Sequence, residues 1–170
     1  MPNEKMRRYL KVDLDKCTGC RTCELACAEA KKKGCNPKKS LIRVTFVPPY
    51  FFLPLSCQFC DKPPCVSSCP EGALEVDEQH RIRVDPQKCI GCTWCMNVCP
   101  FGAIVLDEET NVVRVCDLCD GDPECVKACP TDALELVTSE VSSLRSRISA
   151  AQKLLAGLTL SGEVLGEVKG

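Results

Sequence analysis

The chain has 170 residues with a formal net charge of −1 at pH 7, and 17 of these residues are cysteine. A chain of this length forms one domain or two small ones, and such a high cysteine content is typical of a disulfide scaffold or a metal protein. The near-neutral charge creates no general attraction to nucleic acid. The one Trp, two Tyr and five Phe form no stripe with basic residues on which bases could stack.

The amino-terminal segment bears on the cellular compartment. Residues 1–17 contain no apolar stretch of signal-peptide length, and Arg7 and Arg8 are not followed by the apolar region of a twin-arginine signal. No apolar run approaches the roughly 20 residues of a membrane-spanning helix. We therefore expect a cytoplasmic protein without direct membrane insertion, which could still travel with an exported partner. A disulfide framework is disfavoured in that compartment.

Sixteen of the seventeen cysteines fall into four runs. Run I is Cys17, Cys20, Cys23 and Cys27, spaced C-x2-C-x2-C-x3-C, and run II is Cys57, Cys60, Cys65 and Cys69, spaced C-x2-C-x4-C-x3-C-P. Run III is Cys89, Cys92, Cys95 and Cys99, spaced C-x2-C-x2-C-x3-C-P, and run IV is Cys116, Cys119, Cys125 and Cys129, spaced C-x2-C-x5-C-x3-C-P.

The surroundings of these runs show an internal duplication. Val12–Cys20 (VDLDKCTGC) parallels Val84–Cys92 (VDPQKCIGC), and Leu55–Val76 parallels Val115–Leu136. Run I therefore corresponds to run III, and run II corresponds to run IV.

Within the runs, segments such as Arg21–Cys27 and Thr93–Cys99 predict short helical turns. The proline that follows runs II, III and IV should end the helix there.

Residues 28–54 form an insertion without a counterpart between runs III and IV. Leu41–Val47 alternates apolar and polar residues in part and predicts a strand, and Pro48–Pro54 is an apolar segment stiffened by prolines. We expect the insertion to cover the clusters of runs II and III, and it is also a reasonable contact surface for a partner. Lys31–Lys33, with Lys38 and Lys39, should be a solvated loop, the alternative being a docking patch for an acidic partner.

Short β-prone stretches follow runs II, III and IV at residues 74–76, 104–106 and 134–136. Two hairpins are predicted, one pairing Ala73–Val76 with Arg81–Val84 and the other pairing Ile104–Leu106 with Val112–Val115.

The tail, residues 138–170, contains no cysteine. Its apolar residues recur at steps of three and four and predict an amphipathic helix: Val141, Leu144, Ile148, Ala151, Leu155 and Leu158. The stripe could pack on the body of the protein or dock on another subunit.

The spacing of the cysteines is typical of iron–sulfur clusters. Three thiolates from a short loop can hold one face of a cube, and in two-cluster ferredoxins the last cysteine of a run ligates the other cluster. Gly19 and Gly91 let the backbone approach the cube closely. Structural zinc also uses C-x2-C pairs, but it requires neither the third and fourth cysteines nor the proline after them.

Three residues outside this pattern give weaker signals. Cys35 lies in no run and is expected to be a free thiol. His80, the only histidine, lies in a predicted hairpin turn and should be solvated. Trp94, the only tryptophan, should pack against a cluster.

Across residues 8–137 the four runs, their order and the wider spacing in runs II and IV resemble the four-cluster ferredoxin-type subunits of complex iron–sulfur molybdoenzymes. This family includes electron-transfer subunits of dimethyl sulfoxide reductase, formate dehydrogenase, nitrate reductase and formate hydrogenlyase. Similar small subunits accompany carbon monoxide dehydrogenase and multi-subunit tungsten-containing aldehyde oxidoreductases. Run I ends in Cys27-Ala28 instead of Cys-Pro, which also resembles the family.

The resemblance implies a ligand pairing that spacing alone leaves open. Set 1 would be Cys17, Cys20, Cys23 and Cys129, and set 2 would be Cys57, Cys60, Cys65 and Cys99. Set 3 would be Cys89, Cys92, Cys95 and Cys69, and set 4 would be Cys116, Cys119, Cys125 and Cys27. Some nitrate-reductase-type relatives have Trp for a run III ligand and hold a three-iron cluster, but Cys95 is present here. The resemblance therefore implies four [4Fe–4S] clusters.

We expect an α+β fold with two ferredoxin-like dicluster lobes, one from runs I and IV and the other from runs II and III. Short β-hairpins and helices build the lobes in residues 1–137, and residues 138–170 add a C-terminal helix and tail. Because large apolar residues are few, the clusters should act as the core, and the chain should be unfolded or molten without them.

No nucleophile–base pair, phosphate loop or dinucleotide fingerprint is present, so we predict an electron relay without its own substrate site. The expected partners are a catalytic tungsten- or molybdenum-pterin oxidoreductase subunit, such as an aldehyde oxidoreductase, and another redox subunit or carrier. Two alternatives are a subunit that self-assembles with further copies through the tail helix, and a free polyferredoxin.

Overall fold

The computed structural model describes residues 7–31, 34–139 and 147–148. These residues form an α+β fold of short strands and short helices, as predicted. The predicted tail helix lies outside the described residues, apart from positions 147 and 148. In the part of the chain that is described, no helix has both the length and the apolar character needed to cross a membrane.

The strands form four separate antiparallel pairs. The strands are β1 Arg8–Val12, β2 Arg43–Val47, β3 Phe51–Leu55, β4 Leu74–Val76, β5 Ile82–Val84, β6 Ile104–Asp107, β7 Val112–Val115 and β8 Leu134–Thr138. The helices are α1 Thr22–Ala30, α2 Pro64–Ser67, α3 Trp94–Val98 and α4 Glu124–Lys127, with 3-10 turns at Pro37–Lys39 and Leu118–Gly121.

Proline determines where three of the helices end. Helices α2, α3 and α4 all stop one or two residues before a Cys-Pro pair, because a residue that precedes proline is disfavoured in the helical region. Cys99, for example, has extended backbone. Run I lacks the proline, and α1 accordingly continues past Cys27 to Ala30.

Both predicted hairpins are confirmed. Strand β4 pairs with β5 in the register Leu74↔Val84, and β6 pairs with β7 in the register Ile104↔Val115. Leu74, Ile82, Ile104 and Val115 are buried, so one face of each ribbon packs inward.

One strand pair that was not predicted joins segments far apart in the sequence. Strand β1 pairs with β8, with Leu10 opposite Leu136 and Val12 opposite Leu134. Residues 134–136 were predicted as β-prone, but no strand was assigned to residues 8–12. The pairing fixes the start of run I beside the end of run IV.

The insertion forms the pair β2–β3. The strand predicted from Leu41 begins at Arg43, and the segment predicted as proline-stiffened contains the second strand, β3. Pro54 is tolerated there because a two-stranded ribbon has free edges, where a missing N–H costs no ladder bond.

Buried side chains form two hydrophobic cores. The first combines cysteines of runs I and IV with apolar residues such as Leu10, Ile42, Phe59 and Leu118. The second combines Cys65 and Cys95 with residues of β4 to β7. Cysteine therefore makes up much of the buried apolar surface in both cores.

A network of charged side chains centred on the buried Arg81 connects the β4–β5 hairpin to run IV. Arg81 is 7% exposed, and its Nε donates to Asp77 Oδ2 at 2.9 Å while its Nη1 donates to Asp120 Oδ1 at 2.8 Å. Burial opposes ionisation of Asp77, but hydrogen bonds from Arg81 and Arg83 outweigh it and hold the pKa of this carboxyl below its ordinary value. The network fastens the second core to the loop that carries Cys119.

Glu24 fastens helix α1 to strand β2. The side chain is 1% exposed, its Oε1 accepts the Val44 N–H at 2.7 Å, and its Oε2 lies 3.4 Å from Arg21 Nε.

We predict that Glu24→Ala lowers the free energy of unfolding by about 1–3 kcal/mol, because it leaves a buried N–H without an acceptor. Anaerobic urea denaturation of the cluster-loaded protein measures this. The control is Glu29→Ala, an exposed glutamate of the same helix; equal midpoints for the two variants would contradict the prediction.

A side chain at position 91 would be unfavourable for two reasons, the backbone conformation and the lack of space, and the two can be tested separately. Gly91 has φ +67°, and a Cβ placed on it would lie 2.6 Å from the backbone oxygen of Asn111. Gly102 has φ +57°, but a Cβ there meets open space. Both alanine variants therefore carry the strain of the left-handed region, and only Gly91→Ala adds a clash.

We predict that Gly91→Ala is less stable than Gly102→Ala by a further ~1–3 kcal/mol, the usual cost of overpacking. The same anaerobic denaturation measures the difference. If the two variants unfolded together, the close approach of Asn111 would not constrain the run III loop.

Candidate iron–sulfur sites

All four runs share a turn before their second cysteine. The residue at that position has a positive φ in each run: Gly19, Phe59, Gly91 and Leu118. The two glycines were recognised from the sequence, but Phe59 and Leu118 were not. Side chains adopt this conformation only at a cost, which burial offsets here: Phe59 is 0% and Leu118 2% exposed.

Cysteines of runs I and IV meet around one cavity. The predicted set 1, Cys17, Cys20, Cys23 and Cys129, lines a space of about 310 Å³. Val44 and Pro54 of the β2–β3 pair also line it. The insertion therefore covers run I and the end of run IV, and the expectation that it covers runs II and III is wrong. The reason is that the β2–β3 pair follows directly on Leu41 and Ile42, which are buried in the first core.

Runs II and III meet around two further cavities. The predicted set 2, Cys57, Cys60, Cys65 and Cys99, lines a space of about 340 Å³, and the predicted set 3, Cys69, Cys89, Cys92 and Cys95, lines one of about 290 Å³. In each case the fourth cysteine comes from the other run, as the resemblance implies.

The predicted set 4 lies in the first core. Cys125 is close enough to Cys27 and Cys119 for their charges to interact, and Cys116 is likewise close to Cys125 and Cys27. Two cysteines of run IV, Cys116 and Cys125, thus lie beside the last cysteine of run I, and Cys119 lies beside Cys125.

Burial makes several of these thiols hard to ionise. It raises the pKa of Cys23, Cys57 and Cys125 to about 12 and that of Cys95 to about 11, and it also raises the pKa of Cys65 and Cys116. Negative charge on neighbouring cysteines raises these pKa values further. A thiolate at such a position needs a bound cation, and a coordinating metal deprotonates a thiol outright. Binding of iron here therefore releases protons.

Cys20 differs from these buried thiols. It is exposed, and the Thr22 hydroxyl donates to its Sγ at 3.4 Å, which lowers the pKa of the thiol. The set 1 cavity is therefore lined by an exposed cysteine.

The last cysteine of every run accepts a backbone N–H. In runs II, III and IV the donor is the alanine four residues later: Ala73 to Cys69 at 3.2 Å, Ala103 to Cys99 at 3.4 Å and Ala133 to Cys129 at 3.3 Å. In run I, where Cys27 lies inside α1, the donor is Leu41 of the insertion, at 3.4 Å. The recurring C-P-x-x-A pattern is the sequence signal for this hydrogen bond, and it was not among the predicted features.

Lys31 is not part of a solvated loop, contrary to expectation. Its Nζ donates to both carboxylate oxygens of Asp117, at 2.6 and 2.8 Å. Burial lowers the pKa of Lys31, but Asp117 and the charges of Cys119 and Cys116 outweigh it, so the net shift is upward. A positive charge therefore lies beside run IV.

The predictions for the three residues outside the cysteine pattern, Cys35, His80 and Trp94, agree with the structure to different extents. Cys35 is exposed and donates to Glu29 Oε2 at 3.8 Å, which agrees with a free thiol. His80 lies in the hairpin turn as predicted, but its side chain is half-buried, with Nε2 3.8 Å from Asp61 Oδ1. Trp94 is 60% exposed and lines none of the three cavities described above, so the expectation that it packs against a cluster is wrong. It is the first residue of α3, and the buried Cys95 beside it lines the set 3 cavity instead.

The arrangement fits a cube better than a single ion. Thiols distributed around a cavity can each bind one corner of a cube, whereas ligands of one zinc ion lie only about 2.3 Å from the metal. In the described residues, no three His, Cys, Asp or Glu side chains form a group that could hold a single metal ion.

Comparison with known proteins identifies the group that these cysteines bind. Residues 48–139 match the family described as 4Fe-4S dicluster domain, and residues 8–29 match the family described as 4Fe-4S binding domain. The chain thus binds multiple 4Fe–4S clusters.

Three relatives share this part of the sequence. The chain is 36% identical over 102 residues to the probable anaerobic dimethyl sulfoxide reductase chain YnfG of Escherichia coli, a match covering 49% of this chain and 47% of the relative. It is 39% identical over 90 residues to the polyferredoxin-like subunit of an aliphatic sulfonate oxidoreductase of Pyrococcus furiosus, covering 52% of each chain. It is 34% identical over 97 residues to the electron transport protein HydN of Escherichia coli, covering 53% of this chain and 54% of the relative.

The matched region spans about half the length of these curated relatives. The dicluster family covers more than half of the chain and contains runs II, III and IV, while the second family contains run I. On these grounds the chain belongs to the 4Fe–4S dicluster domain family of ferredoxin-type proteins.

Proposed function

We propose that the chain is an electron-transfer subunit that holds four [4Fe–4S] clusters on the sixteen cysteines of the four runs. The ligands are set 1 (Cys17, Cys20, Cys23, Cys129), set 2 (Cys57, Cys60, Cys65, Cys99), set 3 (Cys69, Cys89, Cys92, Cys95) and set 4 (Cys27, Cys116, Cys119, Cys125). The observation that carries this proposal is that three cavities are each lined by four cysteines, three from one run and one from another.

The two hydrophobic cores support a division into two dicluster lobes. The first core contains cysteines of runs I and IV, and the second contains cysteines of runs II and III. We assign the lobes to residues 1–137, with the insertion 28–54 on the first lobe, and residues 138–170 to a separate tail.

Charge interactions between thiols support a linear order of the four sets. Cys95 of set 3 interacts with Cys65 of set 2. Cys57 of set 2 interacts with Cys116 of set 4, and Cys125 of set 4 interacts with Cys23 of set 1. These pairs, together with the packing of Cys57 against both hydrophobic cores, support the order set 3, set 2, set 4, set 1, with sets 1 and 3 at the two ends.

When bound, each cluster accepts and releases one electron at a time. The chain's own residues hold the ligands in place and limit access of water: Ile82, Ile104 and Val115 line the set 2 cavity. Backbone N–H groups donate to the last cysteine of each run, and Lys31 adds positive charge near set 4. Hydrogen bonds to sulfur, local charge and exposure are the properties that determine the potential of an iron–sulfur site.

The printed names of the relatives support a role within a larger complex. They name a dimethyl sulfoxide reductase chain, an oxidoreductase subunit and an electron transport protein. We infer that this chain carries electrons between a catalytic oxidoreductase subunit, with a tungsten or molybdenum pterin as in an aldehyde oxidoreductase, and a second redox carrier. The proposed location is the cytoplasm, where thiols stay reduced for cluster assembly.

Reductive titration tests the cluster count. We predict about sixteen irons and about four electrons taken up per chain, one for each set, when anaerobically purified protein is titrated coulometrically. Metal analysis on the same sample is the control for incomplete loading. Zinc in place of iron, or a fully loaded chain that takes up only two electrons, would contradict the proposal.

Single cysteine variants test the ligand sets. We predict that Cys95→Ser loses one to four irons per chain and changes the electron paramagnetic resonance spectrum, because set 3 then lacks one thiolate. Cys35→Ser is the matched control, since Cys35 is exposed and belongs to no run. Unchanged iron content in Cys95→Ser, or a loss of iron in Cys35→Ser, would show that the ligands are assigned wrongly.

A further inference from the structure

The β2–β3 pair presents an exposed apolar face at its outer end. Val47, Tyr50 and Phe51, named here the hairpin face, are 41%, 84% and 52% exposed, and Val47 and Phe51 are cross-strand partners on the side of the ribbon opposite Phe46 and Phe52. Tyr50 is the most exposed large apolar or aromatic side chain that the described residues contain. Contiguous exposed apolar surface on a soluble protein marks an interaction site.

The chemistry around this face indicates a long-lived protein contact. Residues 44–60 contain no Asp, Glu, Lys, Arg or His. Transient redox encounters are small and are guided by charge, whereas permanent interfaces are larger and more apolar. An uncharged aromatic face therefore fits a subunit that stays bound better than a carrier that diffuses.

The face is rigid enough to serve as a preformed docking site. All five residue pairs of the ribbon are in register, from Arg43↔Leu55 to Val47↔Phe51. The Phe46 and Phe52 rings pack with their centroids 5.4 Å apart. Preorganisation of this kind reduces the ordering cost of association.

The inner side of the same ribbon forms a wall of the set 1 cavity. Val44 and Pro54 line that cavity. The Phe52 ring packs so closely on the run I loop that a Cβ on Gly19 would lie 2.5 Å from it. A protein seated on the hairpin face therefore lies across the ribbon from side chains that form a wall of the set 1 cavity.

We propose that the hairpin face is the docking surface for a permanently bound protein subunit that carries its own redox centre. The subunit contacts Val47, Tyr50 and Phe51, on the ribbon that forms a wall of the cavity of Cys17, Cys20, Cys23 and Cys129. This proposal rests on the proposed function, because it needs set 1 to be an end of the electron path. A lipid surface or a second copy of the chain would also cover apolar residues, but only a subunit with a redox centre makes use of the wall that the ribbon shares with set 1.

Site-specific cross-linking tests the proposal. Tyr50 is replaced by the photoreactive residue p-benzoylphenylalanine in the tagged full-length chain, produced anaerobically in its native host. Lys62, an exposed residue outside the hairpin face, receives the same replacement as the control. We expect position 50, but not position 62, to cross-link to one protein in which metal, flavin and pterin analysis finds a redox centre.

A double variant adds a functional readout. In Tyr50→Ser/Phe51→Ser, we expect the prereduced chain to pass electrons to that isolated protein at least about tenfold more slowly at limiting concentration, as the loss of an aromatic anchor implies. Lys62→Ser should leave the rate unchanged. Iron content equal to that of the unmodified chain shows that the double variant still folds.

The outcomes separate the two proposals. Cross-linking at position 50 only to a second copy, to phospholipid, or to nothing would overturn the docking surface while leaving the cluster count intact. An unmodified chain with too little iron or too few electrons would instead contradict the proposed function.

Discussion

The structure depends on a single constraint: buried thiols that must become thiolates. A buried cysteine without a nearby cation keeps its proton, and burial raises the pKa of Cys23, Cys57 and Cys125 to about 12. Iron removes this penalty by replacing the proton with a bond. Binding and folding are then coupled, because the same cysteines make up much of both hydrophobic cores. Short strands and helices of four to nine residues suffice in such a protein, since metal–thiolate bonds supply the connections that a larger apolar core would otherwise provide.

Runs II to IV share one local arrangement around the last cysteine, and run I shows the effect of losing the proline from it. In runs II to IV the proline ends the helix, the chain turns, and an alanine N–H returns to the last cysteine. Cys27 lacks the proline and lies inside α1, so the chain cannot turn back there. Leu41 donates to Cys27 instead, and the neighbouring Ile42 is buried in the first core. The insertion thus replaces a hydrogen bond that the repeat provides elsewhere, in addition to covering the cavity of set 1.

The sequence predicted those features whose causes are local. Cysteine spacing, alternation of apolar residues and the helix-ending prolines are short-range signals, and they led to the hairpins, the helices and the family. The β1–β8 pair was missed because its strands lie more than a hundred residues apart and each is short. Strand β3 was missed because Pro54 argues against a strand, and only the free edges of a two-stranded ribbon permit it. Lys31 and Trp94 were misjudged because the partners of a side chain, Asp117 in one case and solvent in the other, depend on the tertiary arrangement.

The proposed order of the sets assigns a role to the asymmetry between the two halves. Sets 1 and 3 are the ends, and they take three cysteines each from runs I and III, which are copies of one another. With similar loops at both ends, a partner that recognised only the loop would bind either end. The equivalent glycines are covered differently, however: Gly19 by the Phe52 ring of the insertion and Gly91 by Asn111 of the β6–β7 turn. Specificity is a difference between two affinities, and the insertion makes the set 1 end differ from the set 3 end, so a partner can distinguish two ends whose loops the duplication makes alike.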